Sequence, residues 1–212
     1  MGFSYERKLM HYPKSRSIGF RSLAYIDFSD QTLDCVDFAA ANLDGCKFND
    51  CSLNLAIFSG ASLQKSRIRD SGLKGANFWR ADLFQAVIID VLLELTSFLD
   101  ASLREVEFYS VGLINANLSD VDFLGAKFND VHWGNANLSN SNFQRAKFNE
   151  VNWGNVNLSN ANLWNTKFEK VNWGEAIVKG TKFLQKDLTP ELEVMLRERG
   201  AEIYSEDGER LE

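Results

Sequence analysis

The chain is poor in the residues that carry most enzyme chemistry. It has two histidines, His11 and His132, and three cysteines in 212 residues. No nucleophile elbow, phosphate loop or zinc motif occurs, so no catalytic residue, cofactor or metal ligand is assigned and a non-enzyme is expected. An odd cysteine count without a disulfide-framework spacing points to reduced thiols and a cytoplasmic setting. No run of 18 apolar residues exists, which excludes a transmembrane helix on hydropathy. Residues 1–20 contain no apolar stretch of signal-peptide type, and Glu6 stands where a myristoylation motif needs Ser or Thr. The net charge of −6 is acidic, and no basic stripe marks a nucleic-acid groove. Neither direct nucleic-acid binding nor membrane attachment is expected.

What the chain has in abundance is repetition. Val131–Glu150 and Val151–Lys170 read as near copies, which aligns Trp133, Trp153 and Trp173 at a period of 20. Within that period lies a second one of five, seen in Trp133, Leu138, Phe143, Phe148 and Trp153. The shorter register runs from Leu23 to Phe183 without an insertion, and each of its 33 positions holds a large apolar residue. Two residues earlier stands a second, smaller position, as in Ala41, Cys46, Cys51, Ala56, Ala61, Ser66 and Ser71. The other three positions are mostly polar or glycine.

A helix repeats near 3.6 residues and a strand at two, and neither brings every fifth residue to one side. A coil with four flat sides of five residues does so, and one turn then takes 20 residues. Large and small positions both face inward. Successive coils stack at the inter-strand spacing, so eight coils make a column roughly 38 Å tall. Glycine, serine or asparagine commonly follows the large residue, as in Gly134, Gly154, Gly174 and Ser139. These residues are expected to take the positive φ of a type II corner.

Several fives read Ala-(Asp/Asn)-Leu or Ala-Asn-Phe: Ala41-Asn42-Leu43, Ala76-Asn77-Phe78, Ala81-Asp82-Leu83, Ala116-Asn117-Leu118, Ala136-Asn137-Leu138 and Ala161-Asn162-Leu163. In these motifs, over about 160 residues, the chain resembles the pentapeptide-repeat proteins. The resemblance implies an all-β fold, a right-handed quadrilateral β-helix, with a short C-terminal capping helix expected here. It implies no shared catalytic residues, and binding scaffolds are the common expectation. The corresponding division is an N-terminal cap over 1–17, the β-helix over 18–188, and a C-terminal helix with a polar tail over 189–212.

Thr189-Pro190 is a helix start, with Thr as N-cap and Pro at the first helical position. Gly200 stops the helix. Leu192, Met195 and Leu196 share one face, expected either to close the end of the column or to form a homodimer. Ser205–Glu212 is expected to be a free polar tail.

Two outward features carry functional information. One row reads Asp30, Asp50, Asp70, Asp90, then Asp130 and Glu150, beside a basic row containing Lys47, Arg67, Lys127 and Lys147. The two rows are expected to pair. The other feature is apolar: Val87, Ile89, Leu92, Leu95, Tyr109 and Ile114 all fall at outward positions around one corner. Exposed apolar patches of this kind mark partner sites. The expected function is therefore a non-catalytic protein-binding scaffold or regulator anchored at that corner. The alternative is a DNA mimic that binds DNA gyrase or another type II topoisomerase through the acidic row, as the resemblance to quinolone-resistance members implies.

Overall fold

The computed structural model describes residues 22–212, so the expected N-terminal cap over 1–17 lies outside the described residues. From Ser22 onward the chain winds into a four-sided column of about eight coils. Every ladder contact joins residues 20 apart, from Ser22 with Asn42 to Asn162 with Lys182. The faces are named here by their first inward residue: Phe28, Leu33, Phe38 and Leu43.

Backbone accounting explains the five-residue unit. The donors of residues 53–57 are an example. Leu53 and Leu55 donate up the column to Gly72 O and Lys74 O, at 2.8 and 2.9 Å. Ile57 donates down to Val36 O (2.9 Å), and Ala56 closes the corner on Leu53 O (3.1 Å). The remaining N–H, of Asn54, goes to the Asp34 carboxylate at 2.8 Å. In other fives that last donor is taken by the Asp or Asn two residues earlier: Trp79 N–H donates to Asn77 Oδ1 (2.9 Å), Phe84 N–H to Asp82 Oδ1 (3.0 Å) and Gly154 N–H to Asn152 Oδ1 (3.0 Å). Where an acid or amide precedes the large residue, it thus satisfies a backbone donor that the stack leaves over.

The corners differ from expectation by one residue. Positive φ falls two places after the large residue, at Asp50 (53°), Leu55 (58°), Asn135 (58°) and Asn140 (61°). Gly134 therefore does not carry it; the corners after Trp153 and Trp173 are exceptions, where Gly154 (52°) and Gly174 (41°) take it one place after the large residue, as expected. The closing bond accepts on the carbonyl of the large residue itself. That residue is therefore the first of the turn, and the left-handed one is the third, as a type II turn requires.

The Phe28 face is the most regular. On it β1 (Lys47–Asn49), β2 (Arg67–Arg69), β3 (Val87–Leu92), β4 (Glu107–Gly112), β5 (Lys127–His132), β6 (Lys147–Asn149) and β7 (Lys167–Glu169) form one parallel seven-stranded sheet. β3, β4 and β5 run on around the next corner. The small inward residue of the coil above satisfies carbonyls at that corner: Cys51 Sγ donates to Phe28 O (3.1 Å) and Ser71 Oγ to Phe48 O (2.9 Å). The core is a stack of aromatic ladders. Phe58, Phe78 and Phe98 lie parallel at 4.7 and 4.5 Å, and Trp133 stacks on Trp153 at 5.4 Å.

Cys46 and Cys51 are buried in this core and Cys35 is exposed. Desolvation pushes the Cys46 thiol up to about 11 and raises that of Cys51. Thiolates are the reactive form, so Ellman titration of the native protein is expected to show about one accessible thiol, and all three only after denaturation. Rapid native release of three would contradict this placement.

The upper end is closed by the chain itself. After β8 (Lys182–Leu184) come α1 (Pro190–Glu198) and β9 (Glu202–Tyr204), which pairs parallel with β8, Lys182 opposite Glu202. The helical segment thus occupies one further turn of 20 residues. Thr189 Oγ1 accepts from Leu192 N–H as the N-cap. Leu196 is fully buried, and Leu192 and Met195 pack partly buried against the column. Arg199 donates to Gly174 O at 2.7 Å, which clamps the helix end to the last coil. The expected free tail is instead a hairpin: β10 (Arg210–Leu211) pairs antiparallel with β9. It covers a strand edge that would otherwise be open to pairing.

A candidate interaction surface

The outward apolar residues do not gather around one corner as expected. Val87, Ile89 and Tyr109 lie on the Phe28 face and are half-buried. Tyr109 donates its hydroxyl to Glu107 (2.9 Å), which also meets Lys127 at 2.6 Å. The Lys127 and Tyr109 hydrogen bonds hold the Glu107 carboxyl below its usual range. The side chains of Val87, Ile89 and Tyr109 are therefore less available to a partner than exposed ones.

Leu92, Leu95 and Ile114 belong to the Leu33 face and its far corner. Leu92 and Leu95 are 60% and 57% exposed. They continue into residues that reading along the chain had missed. Nine large apolar side chains are exposed among the described residues, and seven of them sit on the Leu33 and Phe38 faces and the corner between: Leu55, Ile57, Trp79, Leu92, Leu95 and Ile114 close together in the lower and middle coils, and Ile177 apart from them near the top. Leu55 and Leu95 both occupy that corner, 40 residues and therefore two coils apart. The missed signal was the period of 20, which puts Leu55 two coils below Leu95 on one corner and Trp79 one coil below Leu99 on the adjoining face, although they are distant in sequence.

The local backbone makes room for these side chains. A Cβ on Gly75 would stand 2.8 Å from Leu55 Cδ2, and one on Gly112 would stand 3.0 Å from Leu92 Cδ2. Each leucine leans over the glycine 20 residues later. On the Phe38 face Arg80 lies over the Trp79 ring at 4.5 Å, and Trp79 Nε1 reaches Asp100 at 3.4 Å. Charges beside the surface neutralise one another, Arg80 with Asp100 at 3.6 Å and Lys74 with Glu94 at 3.7 Å. The upper coils differ. There the outward amides hold each other, Asn137 to Asn117 at 3.4 Å and Asn157 to Asn137 at 3.2 Å.

The acidic row stands on the other corner of the Leu33 face. All six of its residues are exposed in the left-handed conformation, φ 62° at Asp30 and 53° at Asp50, Asp90 and Asp130. Aspartate tolerates this region better than most residues, so part of the row is a backbone requirement. The two expected rows largely do not pair across. Asp70 meets Arg69 at 2.9 Å, while Lys47 pairs with Asp27 and Lys127 with Glu107, each up or down its own row. Among the described residues no ion pair involves Asp50 or Asp90.

The family model for pentapeptide repeats matches the chain in eight copies, over residues 22–50, 37–75 and 136–172. Over these residues the chain is built of pentapeptide repeats. The matches leave out 76–135, where the inward register is unbroken. Trp79, Leu92, Leu95 and Ile114 fall in that gap, among fives such as Ala76-Asn77-Phe78, Ala81-Asp82-Leu83 and Ala116-Asn117-Leu118 that keep the motif. No curated protein matches the sequence.

Solved structures to which the chain is similar include pentapeptide-repeat proteins. HetL, a protein involved in heterocyst differentiation regulation from the cyanobacterium Nostoc sp. strain PCC 7120, is 17% identical over 78% of this chain and 91% of its own, with a TM-score of 0.32. Trypsin-treated QnrB1, a plasmid-mediated fluoroquinolone resistance protein, is 18% identical over 86% and 95%, with a TM-score of 0.45. Rfr23 from the cyanobacterium Cyanothece 51142 is 26% identical over 46% and 59%, with a TM-score of 0.29. Among the described residues, no helix is long and apolar enough to cross a membrane.

Proposed function

We propose that this protein is a non-catalytic, cytoplasmic scaffold that binds another protein through the apolar surface centred on Leu95. One observation carries the reading. Leu55 and Leu95 are exposed and both hold φ 58°. A left-handed backbone costs a branched L-residue about 1–2 kcal/mol, and an exposed leucine recovers little of that by burial. Packing within the chain gives no reason for leucine at this corner, whereas a partner that covers it does.

The consequence is a trade between stability and binding. Leu95→Asn, alone and with Leu55→Asn, is expected to leave the melting temperature unchanged or raised, because asparagine tolerates the corner. The same change is expected to weaken capture of the native partner by about tenfold or more, as loss of a buried anchor does. Thermal melts and quantitative pull-downs from the native cell check both. A lower melting temperature with capture intact would overturn the assignment.

The second reading, a gyrase-binding DNA mimic, draws on Asp50 and Asp90, exposed without an ion pair among the described residues. It predicts inhibition of gyrase supercoiling that is lost in Asp50→Asn with Asp90→Asn and kept in Leu95→Asn.

A further inference from the structure

The Leu33 face has two unlike borders. One corner is apolar, with Leu55 and Leu95; the other is acidic, with Asp50, Asp70 and Asp90 on successive coils. Between them the face is low. Gly72 and Gly112 flank Leu92 up and down the stack, and Ile114 stands next to the apolar corner. The charges within the face, Lys74 and Glu94, pair with each other. What remains uncompensated is negative and confined to one edge, since Asp50 and Asp90 take no ion pair among the described residues. The wider field has the same sign. Residues 22–122 hold fifteen acidic and seven basic side chains, whereas residues 123–183 hold four acidic and seven basic. The apolar surface lies wholly in the acidic half.

We propose that the Leu33 face binds a cationic amphipathic segment of a partner protein, with its apolar side chains on Leu92, Leu95 and Ile114 and its Lys or Arg side chains along Asp50, Asp70 and Asp90. This rests on the scaffold reading above and adds the partner's chemistry. An anionic segment meets like charge along the whole acidic edge. A neutral apolar one leaves Asp50 and Asp90 beside a desolvated surface without partners, which is costly. A cationic segment covers both borders at once. Rim charges of this kind set association rate and salt dependence more than the apolar contact does, so the two borders are separable by experiment.

The test uses the full chain and two fluorescein-labelled helical peptides of identical pattern, one built from leucine and lysine, the other from leucine and glutamate. Anisotropy titrations at low and high salt give the affinities. The leucine–lysine peptide is expected to bind at least about tenfold more tightly than its acidic counterpart. Leu92→Glu with Leu95→Glu is expected to abolish that binding. Asp50→Asn with Asp90→Asn, which keeps the left-handed corners, is expected to weaken it several-fold and flatten its salt dependence. Neutralising Glu206 and Asp207 in the C-terminal hairpin is expected to change nothing, which excludes general attraction to an acidic protein. All variants are checked by circular dichroism, and Leu92→Ser replaces the glutamate variant if that one does not fold. Equal binding of both peptides, no binding of either, or binding indifferent to the Leu92 and Asp50 variants would overturn the proposal. The scaffold reading is judged separately, by Leu95→Asn in native capture, so the two can fail independently.

Discussion

Deleting one residue from the middle of the column, Asn140, is expected to abolish the folded upper half. Deleting twenty, Trp133–Asn152, is expected to leave a shorter folded column. In the first variant every later residue moves one place around the coil. Phe143, Phe148, Trp153, Leu158 and Leu163, all fully buried, then leave their inward positions together. Each such side chain contributes about 1.5–3 kcal/mol of burial, and the loss of five is as large as the total stability of a typical domain, about 5–15 kcal/mol. The second variant joins His132 to Trp153, so the junction still runs into Trp-Gly-Asn and every ladder keeps its partner one coil on. Circular dichroism and urea unfolding distinguish the two. Equal stability of the two deletions would show that the register of five does not hold the fold.

Phe128→Ala is expected to be the most damaging of the single core substitutions. Phe128 stacks on Phe108 at 5.4 Å and on Phe148 at 4.9 Å, and packs against Phe123 and Trp133 at 5.5 and 5.2 Å. A large aromatic truncated in a core costs about 3–5 kcal/mol, because the cavity collapses only partly. Here it cannot collapse readily, since the rigid ladders fix the spacing above and below. A stacked column is a chain of nearest-neighbour contacts. The cut therefore uncouples the coils on either side, and the urea transition is expected to broaden as well as shift. A loss under about 1 kcal/mol with an unchanged slope would mean that the aromatic stack is incidental.

The architecture was legible in the sequence because one interaction dictates it. Each fifth residue must be large and apolar, so the 33 positions from Leu23 to Phe183 define coil, face and end without reference to anything remote. The helix at Thr189-Pro190 was legible for the same local reason. The corner residue was misplaced by one, because the composition favours Gly, Ser and Asn at both central positions of the turn. Only the closing bond, as from Ala56 N–H to Leu53 O, tells them apart. The candidate surface was half legible. Reading along the chain found Leu92, Leu95 and Ile114, but Leu55, Ile57 and Trp79 join them only across coils. The same limit merged Val87, Ile89 and Tyr109 into the patch, although the corner bearing Asp90 separates them from Leu95. The tail was misread because β10 pairs with β9, which itself forms only on the last coil.

The scaffold reading depends on whether Leu95 meets a partner in the cell. A photo-crosslinking amino acid placed at position 95, and in a control protein at Asn140, measures this directly after irradiation of the native host. The account predicts one discrete adduct from position 95, none from position 140, and loss of the adduct when Leu55 and Leu92 are changed to Asn and Glu. Absence of any adduct at 95, or the same adducts from both positions, would contradict it.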